Sequence, residues 1–162
     1  MITLEQLLQS RDERAALQHR LLDEHPGCTL VCFTVQLPGP EKRSTLSLSI
    51  AGAGLKALQE LFGEPVKVLD LETGYEAYFL VRRPAHETKR LCCALEESHP
   101  LGRVLDIDVI GPEGPVSRTD VGFQERKCLL CDQPARFCMR AHTHTADELL
   151  RKIDRMVSPM PQ

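Results

Sequence analysis

No run in the chain approaches the roughly 20 apolar residues that a membrane-spanning helix requires. The amphipathic, acid-containing start from Met1 to Glu24 lacks the apolar core of a signal peptide. Neither insertion nor export is expected, and a cytoplasmic location is the reading the sequence supports. Excess charge of one sign is missing too, since 20 basic and 23 acidic residues leave −3 at pH 7. That balance supplies no global field for nucleic acid or an anionic membrane, so any bound anion needs a local basic cluster. The cysteines do not make an even set. Seven of them, in a chain of 162 residues that can bury a core without staples, argue for thiols or metal ligands over a disulfide framework. Gly52-x-Gly54 lacks both the third glycine and the clear preceding strand of a dinucleotide fingerprint. There is no internal repeat, low-complexity tract or composition break. The expected organisation is one domain over 1–162, with 1–25 as an N-terminal helix and 122–157 as an appended Cys/His segment and helix.

What is present reads as a sequence of alternating periods. Thr3 with Gln6 forms a capping box for a first helix carrying Leu4, Leu7, Leu8, Leu17, Leu21 and Leu22, which stops at His25-Pro26-Gly27. From Cys28 to Leu37 the period falls to two, placing Thr29, Val31, Phe33, Val35 and Leu37 on one strand face. Ser44 to Ile50 fits either period, whereas Leu55, Leu58, Leu61 and Phe62 fit a helix. Strands over Val66–Leu71 and Tyr75–Val81 flank a Glu72-Thr73-Gly74 turn, Pro84 opens a helix toward His99, and Val104–Ile110 is again strand. After the first helix this is the βαββαβ order of ferredoxin-like, palm-like units, predicting an α+β fold with a mainly antiparallel sheet. Val116-Ser117-Arg118 reads as a short returning strand, and Gly122 to Thr143 shows no period. Thr145 with Glu148 caps a last helix to Val157, and Ser158–Gln162 is expected to fray.

Two clusters carry chemistry. In Leu105-Asp106-Ile107-Asp108-Val109, residues two apart on a strand face the same way, so both carboxylates project together while the apolar residues enter a core. A divalent cation relieves their repulsion, and Mg²⁺ suits one or two carboxylates with water and phosphate oxygens completing its shell. Arg103, Arg118, Arg126 and Lys127 lie near enough in sequence to hold phosphate. A charged strand edge with solvated acids and bases is the alternative for so short a motif. The second cluster, Cys128-x₂-Cys131-x₆-Cys138-x₅-His144, offers three thiolates and an imidazole for a closed, structural Zn²⁺ site, with His142 competing for the fourth place. Free thiols packed under a loop are the alternative there. His99 is a candidate base near the aspartates or a capping histidine, and Ser10-Arg11-Asp12-Glu13-Arg14 reads on its own as a solvated helix face.

Taken together, several segments resemble the apo-citrate lyase phosphoribosyl-dephospho-CoA transferases, the holo-citrate lyase synthase or CitX family. They are Ser10 to Arg14, Phe33-Thr34-Val35 leading to Pro38-Gly39-Pro40, His99 through Val109, Ser117-Arg118, and Arg126 through Cys131 with Cys138, Arg140 and His144. The resemblance implies transfer of phosphoribosyl-dephospho-CoA from triphosphoribosyl-dephospho-CoA to a serine of the acyl carrier (gamma) subunit of citrate lyase, with loss of pyrophosphate. It implies Asp106 and Asp108 as the Mg²⁺-binding catalytic pair. Substrate contacts are implied at Arg103 and Arg118, with His99, Arg11, Arg14, Arg126 and Lys127 as further candidates. Nucleic acid and membrane are not implied as partners. Leu105 stands where the family often has tryptophan, and no clear Gly-Ser turn precedes the pair as in the wider nucleotidyltransferases. Glu76, Glu96 and Asp120 are candidates for a third carboxylate. A non-catalytic, zinc-stabilised module that binds the carrier is the competing function.

Overall fold

The structure, a computed structural model, describes residues 1–159; of the expected frayed tail, 160–162 lie outside the described residues. Among the described residues the elements follow the order α1 (Leu4–Glu24), β1 (Thr29–Val35), α2 (Thr45–Phe62), β2 (Lys67–Leu71), β3 (Gly74–Val81), α3 (Ala85–Ser98), β4 (Asp106–Gly111), β5 (Gly114–Val116), α4 (Ala135–Ala141) and α5 (Ala146–Val157). Both capping boxes read from sequence form, at Thr3/Gln6 and Thr145/Glu148. A third, Ser44 with Ser47, decides the ambiguous stretch in favour of helix. The returning strand ends at Val116, two residues earlier than its pattern suggested, because the Asp120 carboxylate accepts the Ser117 N–H and turns the chain.

All strand pairings are antiparallel and the sheet order is β2-β3-β1-β4-β5. Its first four members give the arrangement in which each of two βαβ units is split by a strand of the other, as the βαββαβ order predicts. One face of the sheet carries Val31, Phe33 and Val35 of β1, Ala77 and Phe79 of β3, and Ile107 and Val109 of β4. It is covered by α2, α3 and Ile153 of α5. Each large apolar side chain sealed there contributes roughly 1.5–3 kcal/mol. On the other face α1 covers only part of the sheet, packing Leu17 and Leu21 on Leu30, Cys32 and Tyr78. Because α1 runs back over β1, its Ser10–Arg14 turn stands above the far end of β1, where Thr34 pairs with Asp106 on one side and Glu76 on the other. No described helix is long and apolar enough to cross a membrane.

A tight joint sets where β4 begins. After α3, a single 3₁₀ turn (Gly102–Val104) brings Gly102 against the α3 backbone, and a Cβ placed there would lie 1.7 Å from the Glu96 carbonyl oxygen. Only hydrogen fits. Gly102→Ala is expected to destabilise the protein by roughly 1–3 kcal/mol, the range for overpacking a filled site. Urea denaturation checks this; an unchanged midpoint would show that the joint is not rigid.

Candidate functional site

Asp106 and Asp108 project from β4 on the face that α1 leaves partly open, and both side chains are exposed while Ile107 between them is buried. Thr34, buried on β1, donates its hydroxyl to Asp106 Oδ2 at 3.2 Å. Across β1, the buried Glu76 of β3 occupies the same row as Thr34 and Asp106, and Tyr78, Cys32 and Asp108 form the next row. From above, Arg14 of α1 approaches Glu76 Oε2 to 3.5 Å. Arg11 lies on the same helix, and its charge, with burial the larger cause, lowers the Lys42 ammonium. Lys42 itself is fixed by donating to the Leu37 carbonyl at 2.7 Å. The result is an open groove on the sheet face with acids on its floor and Arg14 above it, while Arg11 and Lys42 lie near one another on α1 and the loop after β1.

The chemistry of this floor is legible in its titration. Crowding by protein raises Asp108 above 3.8, its ordinary value, and the Asp106 charge adds to that, with Lys89, Arg14 and Arg126 opposing. Asp108 keeps solvent access, so the crowding reduces its hydration without sealing it. Beside Asp108 on β1, burial pushes the Cys32 thiol up to about 12, which makes it inert packing. Two adjacent hard-oxygen ligands, one already disfavoured as an anion, fit a small divalent cation that keeps most of its water.

The other basic residues singled out in the sequence are placed differently. Arg118 donates to Glu96, Glu97 and the Gln124 carbonyl, and Arg126 donates to Glu96 and to the Leu105 carbonyl at 2.9 Å. Glu96 is raised by burial, an effect that Arg126, Lys89 and Arg118 counter. Arg103 donates to the carbonyls of Lys127 and Cys128. These arginines line a separate cleft of about 190 Å³ and join α3, β4 and the Cys/His segment. His99 ends α3, where its Nδ1 accepts the Leu101 N–H at 2.9 Å; burial lowers it, and the nearby Glu60 of α2 partly restores it. It caps a helix on the covered side of the sheet. Of the three acids considered as a third carboxylate, Glu76 stands at the groove, Glu96 is bound by arginines and Asp120 closes a turn. Lys42 carried no sequence signal, and Thr34 entered only as the middle of the Phe33-Thr34-Val35 segment. Glu76 did, as a lone acid on the strand face otherwise formed by Tyr78 and Leu80.

Cys128, Cys131, Cys138 and His144 converge so that their ligand atoms all lie within 4.8 Å of one another, a cluster that could hold a metal ion. Cys131 Sγ and Cys138 Sγ are 3.5 Å apart, close to the roughly 3.7 Å edge of a tetrahedron with 2.3 Å zinc–sulfur bonds. Burial opposes the Cys128 thiolate, yet the N–H groups of Leu130 and Cys131 and the neighbouring thiols bring it down to about 7. His144 Nε2 is buried without a hydrogen-bond partner, whereas Nδ1 faces Glu148 at 3.9 Å. An orphaned ring nitrogen aimed among thiols, with a carboxylate behind the ring, is the donor set of a metal-binding histidine. His142 does not compete, because it adopts the left-handed conformation that ends α4 and turns the chain toward His144.

The raised Asp108 has a consequence for folding. The native state holds its proton more tightly than the unfolded chain, so stability is lost as pH climbs above 3.8 and through the folded value. Asp108→Asn removes that loss. Metal-free protein carrying the substitution is expected to show a higher urea midpoint at pH 7, with the gap closing toward pH 3; no gap at pH 7 would refute the crowding.

A family model described as apo-citrate lyase phosphoribosyl-dephospho-CoA transferase matches residues 2–160. A protein of that name from Escherichia coli O6:K15:H31 (strain 536 / UPEC) is 40% identical, with 97% of this chain and 89% of the relative aligned. The same values hold for the protein of that name from Shigella boydii serotype 18 (strain CDC 3083-94 / BS512). Similarity of this extent covers the groove, the arginine cleft and the Cys/His segment alike, and the chain belongs to the apo-citrate lyase phosphoribosyl-dephospho-CoA transferase family.

Proposed function

We propose that the chain attaches phosphoribosyl-dephospho-CoA to a serine of the citrate lyase acyl carrier (gamma) subunit, using triphosphoribosyl-dephospho-CoA and releasing pyrophosphate. One observation carries this reading: an exposed carboxylate pair stands on the part of the sheet face that α1 leaves open, with Arg14 of α1 reaching the same row at Glu76. Such a groove takes a polyphosphate at its rim and a cation at its floor. In the reaction, the serine Oγ bonds to the phosphorus nearest the ribose as the bond from that phosphorus to pyrophosphate breaks, and the hydroxyl proton is released. This is the displacement that nucleotidyltransferases perform. Asp106 and Asp108 would hold Mg²⁺, which when bound supplies neutralisation of the phosphate charge. Thr34 orients Asp106 through its hydroxyl. Arg11, Arg14 and Lys42 hold the departing phosphates. The setting is the cytoplasm, with carrier and cofactor precursor as the partners.

The cysteine cluster is read as a structural Zn²⁺ site, supported by its three sulfurs and the unpartnered His144 Nε2. When bound, zinc supplies folding energy to a segment that has little core of its own. Arg103, Arg118 and Arg126 are then assigned to joining this segment to α3 and to the start of β4, not to the substrate.

Intact-mass measurement of the carrier after incubation with protein, Mg²⁺ and triphosphoribosyl-dephospho-CoA tests the reaction. One added phosphoribosyl-dephospho-CoA group is expected, and Asp106→Ala or Asp108→Ala lowers the rate by at least ~10²-fold with the circular dichroism unchanged. Full activity in both variants would overturn the mechanism. Elemental analysis is expected to find one zinc per chain, lost in Cys131→Ser. Bound zinc without any turnover would instead favour a carrier-binding module.

A further inference from the structure

Glu76 has no part in the steps above, yet its placement is costly. It is 3% exposed on β3, and a buried carboxylate is commonly no more stabilising than an apolar residue of the same volume. Two groups compensate it. The buried Tyr78, two residues on and on the same face, donates its hydroxyl to Glu76 Oε1. Burial and this bond raise the phenol far above its ordinary range, so it remains a donor. Glu76 Oε2 faces Arg14.

The Arg14 contact is unlike a pair made for stability. Arg43 and Asp70 show that kind here: Nε and Nη2 each donate to one carboxylate oxygen, at 2.9 and 3.0 Å. Arg14 Nε instead stands 3.5 Å from Glu76 and is buried without a hydrogen-bond partner. Arg14 belongs to α1, which packs on β1, the strand that lies between Glu76 on β3 and Asp106 on β4. A cation held by one loose contact, over the strand between those acids, retains donors for an incoming anion.

We infer that Glu76, braced by Tyr78, is a positioning residue that fixes the Arg14 guanidinium over the groove so that its free edge meets the substrate polyphosphate. This rests on the phosphate-transfer reading of the groove. Glu76 is not assigned to the cation, because both of its oxygens face other groups and β1 separates it from Asp106.

Calorimetric titration with inorganic tripolyphosphate tests the inference on Glu76→Gln, Tyr78→Phe, Arg14→Ala and the Glu76→Gln/Arg14→Ala double variant. Each single change is expected to weaken binding about tenfold, with no further loss in the double variant, because residues acting through one another are not additive. The kcat/KM for triphosphoribosyl-dephospho-CoA is expected to fall in step in all four variants while the Mg²⁺ requirement of Glu76→Gln and Tyr78→Phe holds. Tyr78→Phe keeps the core volume, and decides the matter if Glu76→Gln fails to fold. Additive losses, unchanged tripolyphosphate affinity, or an altered Mg²⁺ requirement in Glu76→Gln would each overturn the role. If tripolyphosphate binding depends on Glu76 but no group reaches the carrier, the transfer reading fails and the positioning role stands.

Discussion

β4 outruns its outer neighbour. β5 pairs only with Val109 to Gly111, so the stretch bearing Asp106 and Asp108 is an open sheet edge. Open edges leave carbonyls unpaired, and two acids side by side would drive such an edge apart. Two cations, the buried Lys89 and the half-buried Arg126, resolve both problems. Lys89 donates to the Ile107 carbonyl at 3.1 Å and Arg126 to the Leu105 carbonyl at 2.9 Å, so each takes the place of a missing strand and brings positive charge beneath the acids. Both lower Asp108 against the crowding that raises it. The floor of the groove depends on this substitution of side chains for a strand.

Arg126 transmits that dependence outward. It lies two residues before Cys128, in a segment held by a single bridge between Lys127 and Pro134 and by Arg103 on the Lys127 and Cys128 carbonyls. Glu96, buried and clamped by Arg118 and Arg126 together, anchors the same segment to α3. Removing one member of such a network strands a buried charge, whereas removing a surface pair costs little. Cluster, arginines and aspartate strand therefore form one mechanical unit. The segment contributes few residues to the main core, and a metal would close it at four points.

Much of the fold was readable because it rests on local rules. Period two in β1, the D-x-D spacing in β4 and the boxes at Thr3 and Thr145 act within a few residues. Ser44–Ile50 resisted because Leu46, Leu48 and Ile50 alternate with serine and threonine like a strand, and only a serine capping box tipped it to helix. α4 is seven residues long, too short to show a period. The common face of Asp106 and Asp108 followed from spacing. The arrival of Arg14 did not, because a charge run on α1 looks solvated until the strand order brings Glu76 beneath it. The acidic partners of Arg118 lie 21 and 22 residues away and the Glu96 partner of Arg126 lies 30 away, beyond any local pattern.

The two faces of the sheet divide the labour at a resolution of one residue. Phe33, Ala77 and Ile107 belong to the packed side, while their immediate neighbours Thr34, Glu76 and Asp106 belong to the groove. Mutational drift can therefore proceed on the two sides at different tempos. Exposed positions of β4 such as Asp106 and Asp108 can change without renegotiating Phe33, Ala77 and Ile107, whereas Leu30, Cys32 and Tyr78 on the same face stay tied to α1. The architecture separates the history of its exposed aspartate edge from the history of its packed face.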